Sequence, residues 1–173
     1  MKTNKIIFIS AIIIQLLLLL IIPVPRWILL NSGKTIELIT IPYDPYNIFR
    51  GYYVDLRYEI SRQEGLPAWG KLEQNRLYYV ILQKDQDGIW SPRKIQVTQP
   101  EKLNQNQAVI RGKYRYGMMT YGIEQYYLPE TKRLEVEKLL RDQNNRVIVQ
   151  VKVNDVGAST ILRLNIAGKN FDY

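Results

Sequence analysis

The sequence predicts a mainly β (α+β) protein: an N-terminal transmembrane helix, then a mostly antiparallel β domain of about seven strands with one short helix. Three observations carry this. Residues 6–22 are apolar except for Ser10 and Gln15. Beyond residue 33, run after run places apolar residues at every second position, the period of a half-buried strand. Helical spacing recurs in the soluble part only near residues 130–142.

The apolar run continues through Val24, Trp27, Ile28, Leu29 and Leu30. At about 1.5 Å per residue, residues 6–30 are long enough to cross a hydrocarbon core of about 30 Å, even with Pro23 and Pro25 interrupting them. Trp27 beside Arg26 suits a membrane–water interface. A cleaved signal peptide would have a shorter run and a small-residue cleavage site; a core helix would show a polar stripe. An uncleaved anchor over residues 1–30 is therefore expected, with 31–35 as a linker and 36–173 as the β-rich domain. Lys2 and Lys5 precede the span, so the positive-inside bias puts the N-terminus in the cytoplasm and the domain in a periplasm or at an extracellular surface. The expected location is the plasma (inner) membrane, crossed once.

The first strand is expected over residues 34–41, with Ile36 and Leu38 on one face. Turn chemistry follows at 42–46, where Pro42, Asp44 and Pro45 restrict or cap the chain. After Gly51 comes the most regular strand, residues 52–61. Tyr52, Val54, Leu56, Tyr58 and Ile60 share one face, and Tyr53, Asp55, Arg57 and Glu59 the other. Residues 63–74 read as a loop broken by Gly65, Pro67 and Gly70 and packed down by Trp69. Strands at 77–84 and 89–97 flank Asp87-Gly88, a strong hairpin signal, and Pro92 demotes the second to an edge or a bulge. Residues 108–116 form another strand, 117–120 turn, and 121–128 are extended. Pro129 and Glu130 suit the start of a helix over about 130–142, with Leu134, Val136, Leu139 and Leu140 as its apolar side. A closing hairpin pairs residues 146–153 with 158–166, the latter placing Thr160, Leu162, Leu164 and Ile166 inward.

Composition narrows function. The chain has 24 basic and 16 acidic residues, a net charge of +8, but the basic residues are dispersed among acidic ones. That pattern lacks the basic stripe of a nucleic-acid binder, so no nucleic-acid partner is expected. There is no His and no Cys, which removes the commonest general base, thiolate chemistry, disulfides and ordinary zinc sites. No cofactor, no metal and no catalytic residue is expected.

Gly51, Tyr53, Leu56 and Tyr58 reproduce four positions of a G-D-Y-x-x-L-x-Y signature. Asp44-Pro45, Phe49-Arg50, the Val-rich closing hairpin and Tyr121-Gly122-Ile123-Glu124-Gln125-Tyr126-Tyr127-Leu128-Pro129-Glu130 extend the match. Over roughly residues 36–170 the chain resembles the GDYXXLXY family of bacterial membrane-anchored proteins. The resemblance implies a single N-terminal anchor, with the bilayer as a partner through residues 6–30, and it points to a second membrane protein as a further partner. It brings no chemistry. Tyr52 stands where the family has Asp, so no role for that carboxylate carries over, and alternation expects this tyrosine in the core.

Four sets of residues are candidates for function. Tyr53, Asp55, Arg57 and Glu59 can form a partner-binding face, although a solvated strand face is the commoner reading. Glu124 with Glu130, near Tyr121, Tyr126 and Tyr127, has the residue types of a glycoside hydrolase; a strand Glu and a helix-start Glu are the ordinary explanation. The 13 tyrosines suit a binding surface, yet packing in strands accounts for most. Finally, an anchor followed by a β-rich domain is similar in outline to bacterial signal peptidases, which use a Ser nucleophile with a Lys base. Ser32 with Lys84 or Lys113 would have to serve, and Ser32 lacks that family's flanking pattern. The expectation is a non-enzymatic, protein-binding or complex-stabilising envelope component. The alternatives are a membrane-tethered hydrolase of Ser-Lys or carboxylate type, or an inactive signal-peptidase-like domain.

Overall fold

In a computed structural model of the chain, residues 2–41, 49–50, 53–62, 72–142 and 145–172 are described. The expected turn at 42–46, Gly51, Tyr52, Trp69 and Asn144 lie outside them. The order is α1 (Lys2–Ile21), α2 (Val24–Ser32), β1 (Lys34–Ile39), β2 (Phe49–Arg50), β3 (Tyr53–Asp55), β4 (Leu77–Lys84), β5 (Trp90–Gln96), β6 (Gln107–Arg115), β7 (Met118–Thr120), β8 (Gln125–Tyr127), α3 (Glu130–Arg141), β9 (Val147–Val153), β10 (Ser159–Ile166) and β11 (Lys169–Asp172). A 3-10 turn, Glu59–Ser61, follows β3. The class is the expected one, with eleven strands among the described residues instead of about seven.

The strands form three sheets, of order β1-β9-β10-β11, β2-β3-β8 and β5-β4-β6-β7, and every pairing among them is antiparallel. Their inner faces share one core. Ile36, Leu38, Val149, Val151, Leu164 and Ile166 come from the first sheet, Val54 and Tyr126 from the second, and Val80, Leu82 and Ile110 from the third. The turn between β9 and β10 ties the first sheet to the third. Arg111 donates its backbone N–H to the Gly157 carbonyl at 2.9 Å, and a Cβ on Gly157 would lie 2.9 Å from that same nitrogen. Gly157 also has φ +77°, where a side chain is strained.

Several differences from expectation have local causes. Residues 117–120 are not all turn. Tyr116 and Gly117, with φ of 50° and 82°, make a tight two-residue reversal, and Met118–Thr120 pairs back onto β6. Ala167 and Gly168 (φ 51° and 85°) do the same before β11. Positive φ at both central residues is the hairpin turn whose twist matches the strands, but Tyr-Gly and Ala-Gly lack the Asn or Asp that signals it. Pro92 sits on the edge strand β5 opposite Leu82, where the register slips, so it is both at an edge and at a bulge. A second slip, between Ile161 and Arg163, turns Ile161 inward at 3 % exposure and leaves Leu162 only half-buried. On α3, Val136 is buried with Leu139 and Leu140 against the core, whereas Leu134 is 80 % exposed. Residues two apart do not face the same side of a helix.

The strand expected over 52–61 is shorter. Only Tyr53–Asp55 is ladder; Tyr58 then bridges Thr40, and the 3-10 turn begins. Alternation of burial outlasts the strand, however. Val54, Leu56, Tyr58 and Ile60 are all buried, while Arg57 and Glu59 are exposed and Tyr53 and Asp55 half-buried.

The N-terminal helices meet the domain without a spacer. Asn31 and Ser32 end α2, Gly33 caps it by donating its N–H to the Leu29 carbonyl (2.9 Å), and Lys34 already pairs with Val153. Leu29 is buried where α2 packs on β9 and β10. Residues 5–32 have a mean hydropathy of 3.0 in their most apolar window, none of it buried, which is long and apolar enough to cross a membrane.

Candidate functional site

The two sequence motifs lie side by side. Strand β3 pairs with β8 so that Tyr53 faces Tyr127, Val54 faces Tyr126 and Asp55 faces Gln125. The Tyr53 and Tyr127 rings pack at 5.7 Å, tilted by 55°. The pairing continues past the ladder, since Leu56 donates its N–H to the Glu124 carbonyl at 2.7 Å.

Buried hydroxyls then lock the segments. Tyr58 donates to the Ile123 carbonyl at 2.6 Å, and Tyr121 donates to the Ile60 carbonyl at 2.5 Å. Tyr126 reaches further, to the Phe171 carbonyl on β11 at 2.6 Å. A buried carbonyl without a donor is costly, so each phenol both fills core volume and satisfies the backbone. The Tyr121 phenol is held far above its ordinary pKa, first by burial and then by the nearby Glu124 carboxylate. Gly112 makes room for it: a Cβ there would stand 2.8 Å from the Tyr121 ring.

Glu124 works on the backbone. Its two carboxylate oxygens accept the N–H groups of Tyr121 (2.5 Å) and Gly122 (2.9 Å), closing the turn that brings β8 under β3. Glu130 is exposed in the first turn of α3. The Ser32 hydroxyl donates to the Ile28 carbonyl of its own helix at 2.7 Å, and among the described residues no lysine amine is hydrogen-bonded to it. Ser32 is thus not hydrogen-bonded to Lys84 or Lys113, and the Glu124 carboxylate is occupied by backbone amides. No group of three or more acidic residues placed to hold a metal ion occurs among the described residues.

Two clefts flank the motif junction. One, of about 270 Å³, is walled by Asp55, Arg57 and Glu124 with Tyr58, Met118 and Met119. It is lined from both sides of the signature, by Asp55 and Arg57 of the sequence-predicted face and by Leu56 and Tyr58 of the core side. The other, of about 510 Å³, runs between α2 (Pro25, Arg26, Leu29), the strand β8 (Gln125, Tyr127) and the start of β10 (Ser159, Thr160, Ile161). Strand alternation finds the first face because its residues alternate along one short stretch. It misses the second cleft, whose walls come from three parts of the chain.

Where α2 hands over to β1, Lys34 donates to the carbonyls of Gln105 and Gln107 (2.8 Å to the latter) and lies 5.0 Å from the Trp90 ring. Burial, and secondarily Lys84, lowers the Lys34 pKa. Lys152 donates to the Gly33 carbonyl at 2.9 Å.

The GDYXXLXY protein family model matches residues 15–164, a span that takes in part of the N-terminal helix as well as both motifs. No curated protein and no solved structure matches the chain.

Proposed function

The chain belongs to the GDYXXLXY family, and on that premise we propose that it is a single-span anchored protein of the bacterial envelope whose β domain docks a second membrane protein and performs no chemistry of its own. One observation carries the anchored reading. The C-terminal part of the apolar segment is built into the domain: Leu29 is buried and α2 packs on β9 and β10. Cleavage within α2 would remove the segment that packs on β9 and β10. The basic residues Lys2 and Lys5 ahead of the span favour a cytoplasmic N-terminus and a domain outside the cytoplasm.

The docking face is the charged side of the signature: Tyr53, Asp55, Arg57 and Glu59. The opposite side of the same segment is committed to the core, and a short anchor confines this face to the neighbourhood of other membrane proteins. Mixed charge around an aromatic pair suits a polar extracytoplasmic loop of a partner, where charges set register and rings supply contact area.

Three measurements test the proposal. Mass spectrometry of the mature protein should recover peptides from residues 1–30, and their absence would overturn the uncleaved anchor. Protease added outside spheroplasts should digest the domain; protection would reverse the topology. A photocrosslinker at position 57 should join the chain to one membrane protein, and the adduct should vanish in Asp55→Lys. The same adduct formed equally from position 134 on α3, or none from position 57, would sink the docking face.

A further inference from the structure

We infer that α2 is not part of the membrane span but an interfacial helix that seats the β domain on the lipid surface, its outer face buried at the boundary between headgroups and acyl chains. This deepens the anchored reading proposed above and rests on it.

Length is the first argument. Strictly helical α1 has 20 residues. Its apolar part, residues 6–21, covers about 24 Å at about 1.5 Å per residue, a little short of a hydrocarbon core of about 30 Å. Snorkelling of Lys5 and local thinning of the bilayer close a difference of that size, so the crossing does not require α2. The helix breaks between Ile21 and Val24, with Pro23 at the joint and Pro25 in the first turn of α2. Proline fixes φ and lacks an N–H, so the break is built into the sequence.

The second argument is two-sidedness. Pro25, Arg26 and Leu29 face the domain and line the larger cleft. Val24, Trp27 and Ile28 are 45, 67 and 50 % exposed. Positions 24, 27 and 28 stand at i, i+3 and i+4, one stripe of a helix. A stripe holding tryptophan would be costly in water, and it directly continues α1. Aromatic residues with a polar edge favour the headgroup level. The occupant of this face is therefore a lipid surface.

A consequence follows for the domain. Gly33 joins α2 to β1 with no slack, and Lys152 clamps the Gly33 carbonyl. The domain is held at a fixed attitude to α2.

The chain has no cysteine, so single-cysteine labelling needs no background removal. Full-length Val24→Cys, Trp27→Cys, Ile28→Cys and, as a control, Leu134→Cys would carry a nitroxide in vesicles containing anionic phospholipid. The labels at 24, 27 and 28 should report the shallow, headgroup-proximal depth and be several-fold less accessible to a water-soluble relaxation agent than the label at 134. Accessibility equal to position 134, in protein that survives an alkaline carbonate wash, would overturn the interfacial helix while leaving the anchor intact. Labels at mid-bilayer depth would overturn it too, because α2 would then belong to the span. Release of the protein by carbonate would instead overturn the anchored reading itself.

Discussion

The Tyr58 hydroxyl donates to the carbonyl of Ile123 at 2.6 Å, and two residues from each partner the bond is returned, from the Tyr121 hydroxyl to the carbonyl of Ile60 at 2.5 Å. The last tyrosine of one motif and the first tyrosine of the other thus clasp each other's backbones inside the core. Four groups that would otherwise be buried unpaired satisfy each other.

Removing either hydroxyl alone should be costly out of proportion to its size. Tyr58→Phe or Tyr121→Phe strands a buried carbonyl and should lower stability by about 1–3 kcal/mol each. The clasp holds the same two segments together twice, so the double variant should lose less than the sum, by at least about 0.5 kcal/mol. Denaturation of the full chain in mild detergent would check this cycle, and strict additivity would mean that the two bonds act independently.

The turn before β8 depends on a carboxylate. Glu124→Ala deprives the Tyr121 and Gly122 amides of their acceptor, and hydrogen bonds to a charged group are the stronger kind. A loss of about 2 kcal/mol is expected, together with faster hydrogen exchange at those two amides. Unchanged exchange there would show that the carboxylate does not close the turn.

Space for Tyr121 comes from Gly112. In Gly112→Ala the new Cβ would stand 2.8 Å from the ring, 3.0 Å from the Met119 methyl and 3.0 Å from the Thr120 carbonyl oxygen. The backbone oxygen cannot swing away as a side chain can, so overpacking of about 1–3 kcal/mol is expected. Adding Tyr121→Leu should recover part of it; no recovery would point to the Thr120 oxygen as the obstacle.

Alkaline pH should loosen the same region. Burial, then Glu124, raises the Tyr121 pKa above its ordinary value near 10. The unfolded chain therefore gives up this proton first. The stabilisation is complete below about pH 10 and is lost as pH rises beyond it. Melting temperature measured from pH 9 to 11 should fall more steeply in the wild type than in Tyr121→Phe, and parallel curves would contradict the assignment.

Much of this was open to a reader of the sequence, because it rests on short-range periodicity. The apolar N-terminal helix, the alternation at Val54, Leu56, Tyr58 and Ile60, and the closing Val-rich hairpin each depend on the faces of a single element, and a period of two or of 3.6 marks a face without knowledge of what covers it. The limits of that reasoning are equally local. Tyr116-Gly117 and Ala167-Gly168 make tight turns without the usual turn residues, so β7 and β11 were invisible. The bulge at Leu162 exchanged which residue points inward, as no pattern of polarity announces.

What the sequence by itself determined was the kind of chain: apolar enough at one end to enter a bilayer, alternating enough beyond it to build antiparallel sheets, and without the histidine and cysteine on which much site chemistry depends. Only the tertiary structure decided what the tyrosines do and how α2 sits. Tyr58 and Ile123 are 65 positions apart, Tyr121 and Ile60 are 61 apart, and Tyr126 and Phe171 are 45 apart. A phenol buried for packing and one buried to satisfy a distant carbonyl look the same in a strand pattern, because the acceptor is chosen by how sheets stack, not by spacing along the chain.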